Sequence, residues 1–186
     1  MSQRSRRGSF CQRGQAEVWA IVLALLMLLH ACGSGNSVVL EEVVEQVYPI
    51  EPDTNITVQN RDGAVMVYGS DARELRVRAV KKAYSRERLS QITTEVSRTQ
   101  GTISVITKFP SQPNWAFSDR SGTVDYTIVI PATARISKLD LHAGEVLLDG
   151  MRGREVHAKL GDGRISARNC FTNLDVTMNR GTLTLS

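Results

Sequence analysis

The last third of this chain repeats itself about every eighteen residues, and a period of that length restricts the fold to stacked, self-similar layers. Residues Ser137 to Gly150, Arg154 to Asn169 and Thr172 to Leu185 align as three units, each reading as strand, glycine-bearing turn, strand. The first strand supplies Leu139, Val156 and Leu174, spaced by 17 and 18 residues; the second supplies Val146, Ile165 and Leu183, spaced by 19 and 18. Two residues further along stand Leu141, Ala158 and Val176, then Leu148, Ala167 and Leu185, alternating with Asp140, His157, Asp175, Ser166 and Thr184. Period-two alternation sends one set indoors and the other to solvent. A single unit cannot bury its apolar face alone, so the units are expected to stack into aliphatic ladders, an all-β, β-solenoid or β-helix-like fold of two-strand coils. Gly144, Gly161 or Gly163, and Gly181 recur between the two strands, where a reversal favours a residue tolerant of positive φ.

Upstream the same grammar is less regular. Ile56-Thr-Val58-Gln-Asn60 leads through Asp62-Gly63 into Ala64-Val-Met-Val67, and Leu75 to Val80 makes a further strand with Arg76 and Arg78 opposite Leu75, Val77 and Ala79; together these read as a first coil. Ser85 to Gln91 reads as the one short helix, near residues 85–91, and 93–108 as a hairpin reversing at Gly101. Phe109 to Gly122 reads as a loop, and Val124 to Ile130 as a strand closed by Pro131. Aromatic residues are only 5% of the chain, so the core must come from aliphatic side chains on short strands.

Four stretches carry a family likeness: Val58 to Gly69, Leu75 to Lys82, Val129-Ile-Pro131, and Gly144-Glu-Val-Leu-Leu-Asp-Gly150. In these the chain, from about residue 42 to its end, resembles the putative-adhesin β-solenoid family of bacterial exported proteins and lipoproteins. The resemblance implies a stacked β architecture outside the cytoplasm and brings no catalytic residues with it. Domains of this kind commonly continue through more coils, whereas this sequence stops at Leu183-Thr-Leu-Ser186 inside an expected strand. An unfinished coil leaves backbone groups unpaired, so the C-terminal coil is expected either to self-associate or to mark a truncated gene.

The other end of the chain speaks to location. Arg4, Arg6, Arg7 and Arg13 precede an unbroken apolar run from Val18 to Leu29, too short for a bilayer-spanning helix of about 20 residues and right for a secretory signal. Leu29-His30-Ala31-Cys32 then resembles a lipoprotein box, with residues 1–31 as the signal peptide and Cys32 as the lipid-bearing first mature residue. Residues 32–41, opening with Gly33-Ser34-Gly35-Asn36-Ser37, read as a lipidated tether, and 42–186 as a single β-solenoid domain. Gly33 stands where an Asp would favour retention in the inner membrane, so the expected place is the bacterial cell envelope, on the outer membrane or its periplasmic face. The leader holds four of the 23 basic and one of the 19 acidic residues, leaving 19 against 18, with no basic cluster to track nucleic acid. Cys11 leaves with the leader and Cys32 takes lipid, so Cys170 is expected as a lone buried thiol within the stack.

No cofactor motif is present: no phosphate-cradling glycine loop, no His-Glu-x-x-His, no cysteine pairs and no Gly-x-Ser-x-Gly elbow. Counted from the first apolar position of each unit, Asp140, His157 and Asp175 form one outward column about 4.8 Å apart, able in principle to hold a cation or poise a base. A second column would hold His142, Lys159 and Thr177. Trp115, in Pro113-Asn114-Trp115-Ala116-Phe117, is the candidate aromatic contact, and Lys81-Lys82 and Arg86-Glu-Arg88 read as solvated charge. Two functions compete. One is a non-enzymatic, lipid-anchored binding or adhesin-like module whose partner is an envelope protein or a polysaccharide; the other is a polysaccharide-active enzyme on a β-helix scaffold.

Overall fold

A computed structural model describes residues 38–99, 101–110 and 122–186. The elements are β1 (Leu40–Pro49), β2 (Asn55–Ser70), β3 (Glu74–Ala83), α1 (Arg86–Gln91), β4 (Thr93–Thr99), β5 (Thr102–Lys108), β6 (Thr123–Pro131), β7 (Arg135–Asp149), β8 (Glu155–Arg168) and β9 (Asn173–Leu185). Strands dominate, and α1 is a helix of six residues whose N-terminus is capped by Ser85 Oγ, which accepts the backbone N–H of Arg88 at 3.1 Å.

The stack is built from β2, β7, β8 and β9, which lie side by side in parallel, in that order. Each is one continuous strand of 13 to 16 residues, not two strands joined by a turn. The bend comes at Gly63, Gly144, Gly163 and Gly181, whose φ angles of +128° to +148° redirect the chain while cross-strand pairing continues on both sides. These four glycines sit directly opposite one another. Of the two glycines weighed for the third coil, Gly163 is the corner.

A glycine corner divides each strand into a first and a second arm. On the far side of β2 the arms part company. Its first arm pairs in parallel with β5, which forms the expected hairpin with β4, and its second arm pairs with β6, followed by β3 and β1 in antiparallel array. The expectation that β3 completes a first coil is therefore corrected: the spatial neighbour of β2 in the stack is β7, while β5 and β6 run along its other edge. Asn60 shows why the divergence is tolerated. It occupies an inward position equivalent to Leu141 and Leu160, and its amide donates to the Val124 carbonyl at 2.7 Å where β6 begins to run beside β2.

The core lies between the two sets of arms. Ile56, Val58, Leu139, Leu141 and Val156 on the first arms face Val65, Val67, Val146, Leu148 and Ile165 on the second, all at 2% exposure or less. β3 and β6 add Leu75, Val77, Ile128 and Ile130, and Tyr126 is wholly buried with its hydroxyl 2.7 Å from that of Thr107. Burial pushes the Tyr126 hydroxyl pKa up to about 12, so it stays neutral. Each fully buried aliphatic side chain contributes roughly 1.5–3 kcal/mol, against about 0–1 kcal/mol for an exposed ion pair. The ladders hold the stack.

Register corrects a second expectation. Pairing opposes Leu139 to Ala158 and Leu141 to Leu160, not Leu139 to Val156, because the layers align with Gly144 opposite Gly163; Val156 instead faces Ile136, across an irregularity of β7 between Ile136 and Leu139. Against β2 the same place shows Ile56 opposite Ile136 and Thr57 opposite Lys138, leaving Ser137 as an extra residue, a β-bulge. Counted from the glycines, the columns are uniform: Leu139, Ala158 and Val176 each stand five residues before the corner. Cys170 is half-buried, not buried, with its thiol 3.2 Å from the Arg168 carbonyl at the end of β8.

The corner should be the least tolerant surface position. Gly163→Ala places a Cβ 1.8 Å from the Gly144 carbonyl oxygen on a backbone with φ of +144°. We expect a loss of at least about 2 kcal/mol, read as a fall in melting temperature of roughly 4–8 °C by circular dichroism. The outward substitution Lys159→Ala should move it by less than about 2 °C.

Candidate functional site

The outer face of the first arms is a largely polar field running from β4 across β5, β2, β7 and β8 to β9. One row passes from Ser97 through Ser104 to Thr57, and another from Glu95 through Ile106, Gln59, Asp140 and Lys159 to Thr177. Neighbouring strands are tied by side-chain hydrogen bonds, Asn55 Nδ2 to Thr102 Oγ1 at 3.2 Å and Thr57 Oγ1 to Ser104 Oγ at 2.9 Å.

The proposed column of Asp140, His157 and Asp175 is only partly assembled. His157 and Asp175 are directly opposed, with Nδ1 3.1 Å from Oδ2. Asp140 stands in the next column, opposite Lys159, and lies 3.6 Å from Lys138 Nζ. The glycine register is the physical reason: Asp140 stands four residues before Gly144, whereas His157 stands six before Gly163, so the two are two positions out of line. The imidazole instead has Glu155 as its second partner, Nε2 to Oε2 at 3.2 Å, and Glu155 also pairs with Arg135. The second proposed column is likewise only partly assembled: Lys159 and Thr177 are directly opposed, but His142 lies over Gly161. Cys32 and Trp115 lie outside the described residues.

Both imidazole nitrogens face carboxylates, an arrangement that favours the doubly donating, protonated form of the ring. The hydrogen bond to Asp175 first, and that to Glu155 second, raise its pKa above 6.5. A clamped, exposed imidazole with both nitrogens engaged has no free lone pair to take a proton from a substrate, so its geometry suits cross-linking β8 to β9 better than base catalysis. No group of three or more His, Cys, Asp or Glu able to hold a metal ion occurs among the described residues.

The outer face of the second arms has a different character, and sequence reasoning passed over it. Met66 and Leu147 lie opposite each other, three residues after their corner glycines, on the side that is otherwise polar. With Ala64, Glu145, Arg164 and Ser166 they line a shallow recess of about 180 Å³. Leu147 breaks the outward polar phase, and that was the available signal.

Two charges read as solvated are inside. Lys81 is 7% exposed because the inward phase of β3, Leu75, Val77, Ala79, continues through it; its Nζ donates to the Ile92 carbonyl at 3.3 Å and pairs with Glu42 at 2.7 Å. Arg88 is also 7% exposed, packed beside Ile92 and Gly122. Lys82 does face solvent, and its pKa is raised by hydrogen bonding to Asp125, with Glu41 adding to it.

No protein-family model matches the chain, and no curated protein matches it. Among solved structures, the chain bears a distant likeness to a "putative cell adhesion protein" from Clostridium sporogenes, with 10% identity and a TM-score of 0.49 over 77% of this chain and 98% of that one. A "putative adhesin" from Bacteroides fragilis is likewise similar at 10% identity and a TM-score of 0.28, over 78% of this chain and 97% of that one. The β-solenoid assignment stands on the strand register itself.

His157 links the last two strands, and the sign of its effect follows from its raised pKa. A group whose folded pKa exceeds its unfolded value stabilises fully below the unfolded value and loses that effect as pH rises through the folded one. The melting temperature of the unaltered protein should therefore exceed that of His157→Ala most clearly below pH 6.5, with the difference shrinking as the pH is raised above it. A difference between the two that does not change with pH would contradict the clamp.

Proposed function

We propose that this chain is a non-enzymatic, lipid-anchored module of the bacterial cell envelope, adhesin-like in kind, whose broad outer face contacts an envelope protein or a polysaccharide. The observation that carries the reading is the field of mainly hydroxyl, amide and charged side chains in register on the first arms, across β4, β5, β2, β7, β8 and β9. Such a surface offers many hydrogen-bonding groups at about 4.8 Å strand spacing, which suits an extended polar partner lying across the strands. The apolar leader, Cys32 and the small polar segment after it support a tether that holds this face away from a membrane, on the outer membrane or its periplasmic side. The motifs shared with the putative-adhesin β-solenoid family support the same assignment.

Anchor and face are separately testable. Radiolabelled palmitate should be incorporated by the unaltered chain and lost on Cys32→Ala; equal labelling of both would remove the anchor. Immobilised envelope material should retain the full chain, and the double charge reversal Asp140→Lys with Lys159→Glu, at a half-buried and an exposed position of the field, should weaken retention at least about fivefold. Undiminished retention would move the contact elsewhere. Release of new reducing ends from envelope polysaccharide, abolished by His157→Ala, would favour the enzyme reading instead.

A further inference from the structure

β9 pairs with β8 along one edge, and no strand among the described residues pairs with the other. Its inward positions are correspondingly uncovered. Leu183 and Leu185 are 44% and 63% exposed, where the equivalent Ile165 and Ala167 of β8 are 0% and 5%. What could cover this edge is specified by the three parallel interfaces already in the stack, of which it is the continuation.

The corner sets the first requirement. A Cβ on Gly144 would lie 1.8 Å from the Gly63 carbonyl oxygen, on Gly163 1.8 Å from that of Gly144, and on Gly181 1.8 Å from that of Gly163. Each layer thus admits only glycine at the corner of the next one. Charge sets the second. β8 meets Arg180 with Asp162 at 3.7 Å and Asp175 with His157 at 3.1 Å. On the free side the same Arg180 and Asp175 side chains are 85% and 71% exposed, ready for an acid and a base in the corresponding places.

We propose that the free edge of β9 captures a parallel β-strand from another polypeptide, one with apolar residues facing Leu174, Val176, Met178, Leu183 and Leu185, glycine facing Gly181, a base facing Asp175 and an acid facing Arg180. Strand addition to an open edge supplies main-chain hydrogen bonds, and the alternate side chains supply selectivity. A second folded copy of this chain does not meet the requirement. Its β2, β7 and β8 are paired on both edges. A two-fold arrangement would run β9 against itself in antiparallel fashion: matching Met178 with Leu183 and Val176 with Leu185 then puts Arg180, not glycine, opposite Gly181 and brings two Arg180 side chains together. The capture rests on the binding-module reading but uses a surface separate from the polar field.

The sequence of β8 already satisfies all of these requirements, so a fluorescently labelled peptide of residues 154–169 is the probe. Titrated with the full chain in detergent micelles, it should give saturable anisotropy. Its Gly163→Ala form should bind at least about tenfold more weakly, and its Asp162→Lys form several-fold more weakly. On the protein, Leu185→Lys, an exposed position, should weaken capture of the unaltered peptide while the circular dichroism melt is kept. Absent binding, or equal binding of the glycine and alanine peptides, overturns the proposal. So does a dimer in light scattering that Leu185→Lys dissociates, which would seat a second copy on the edge. Retention on envelope material, altered only by the Asp140 and Lys159 reversals, would persist in those cases and keep the two readings distinguishable.

Discussion

The close approach of backbone at the glycine corner is the contact on which the rest of the structure depends. Where each layer turns, the Cα of one glycine sits so near the carbonyl of the glycine before it that a side chain has no room. The restriction is steric and directional: it fixes which residue of each strand meets which residue of the next, and so decides which side chains reach the core. Without it, alternation alone would leave several registers two residues apart with the same faces buried.

Given that register, hydrophobic burial does the stabilising and electrostatics decorates the surface. The ladders of Leu139, Ala158 and their neighbours are nearly sealed from solvent, whereas most of the ion pairs lie on exposed faces. Lys81 is the exception. Its ammonium is enclosed because β3 stays in phase to its end, and Glu42 and the Ile92 carbonyl satisfy it. A buried cation with a single carboxylate partner lends the β1–β3 edge specificity more than stability, since the cost of desolvation offsets much of the attraction.

Much of the architecture was legible because the apolar alternation and the recurring glycines are both local in sequence. The three C-terminal layers and the hairpin around Gly101 follow from local pattern alone. What escaped was non-local or depended on the choice of reference point. Aligning the units on their first apolar residues placed Leu139 with Val156; aligning them on Gly144, Gly163 and Gly181 places it with Ala158, and only the second choice reflects a steric constraint. The extra residue at Ser137 has no signature in composition. That 81 residues separate Gly63 from Gly144 concealed the adjacency of β2 and β7, since parallel pairing over such a distance leaves no spacing to read. The candidate site suffered accordingly: His157 and Asp175, each six residues before its corner glycine, do meet, while Asp140, four residues before Gly144, does not.

The same steric rule joins fold to function. It keeps the outward rows of the first arms in register, and it makes the free edge of β9 selective for the kind of strand that built the stack. Its most direct test is cysteine cross-linking in a background with Cys11 and Cys170 changed to serine. Directly opposed residues on neighbouring strands fall within disulfide reach, about 4.4–6.8 Å between Cα atoms. Oxidation should close a bond in the pair Asp140→Cys with Lys159→Cys and leave Asp140→Cys with His157→Cys open, as mass spectrometry of the digested protein would show. The reverse outcome would place the layers two residues out of the glycine register and contradict the account.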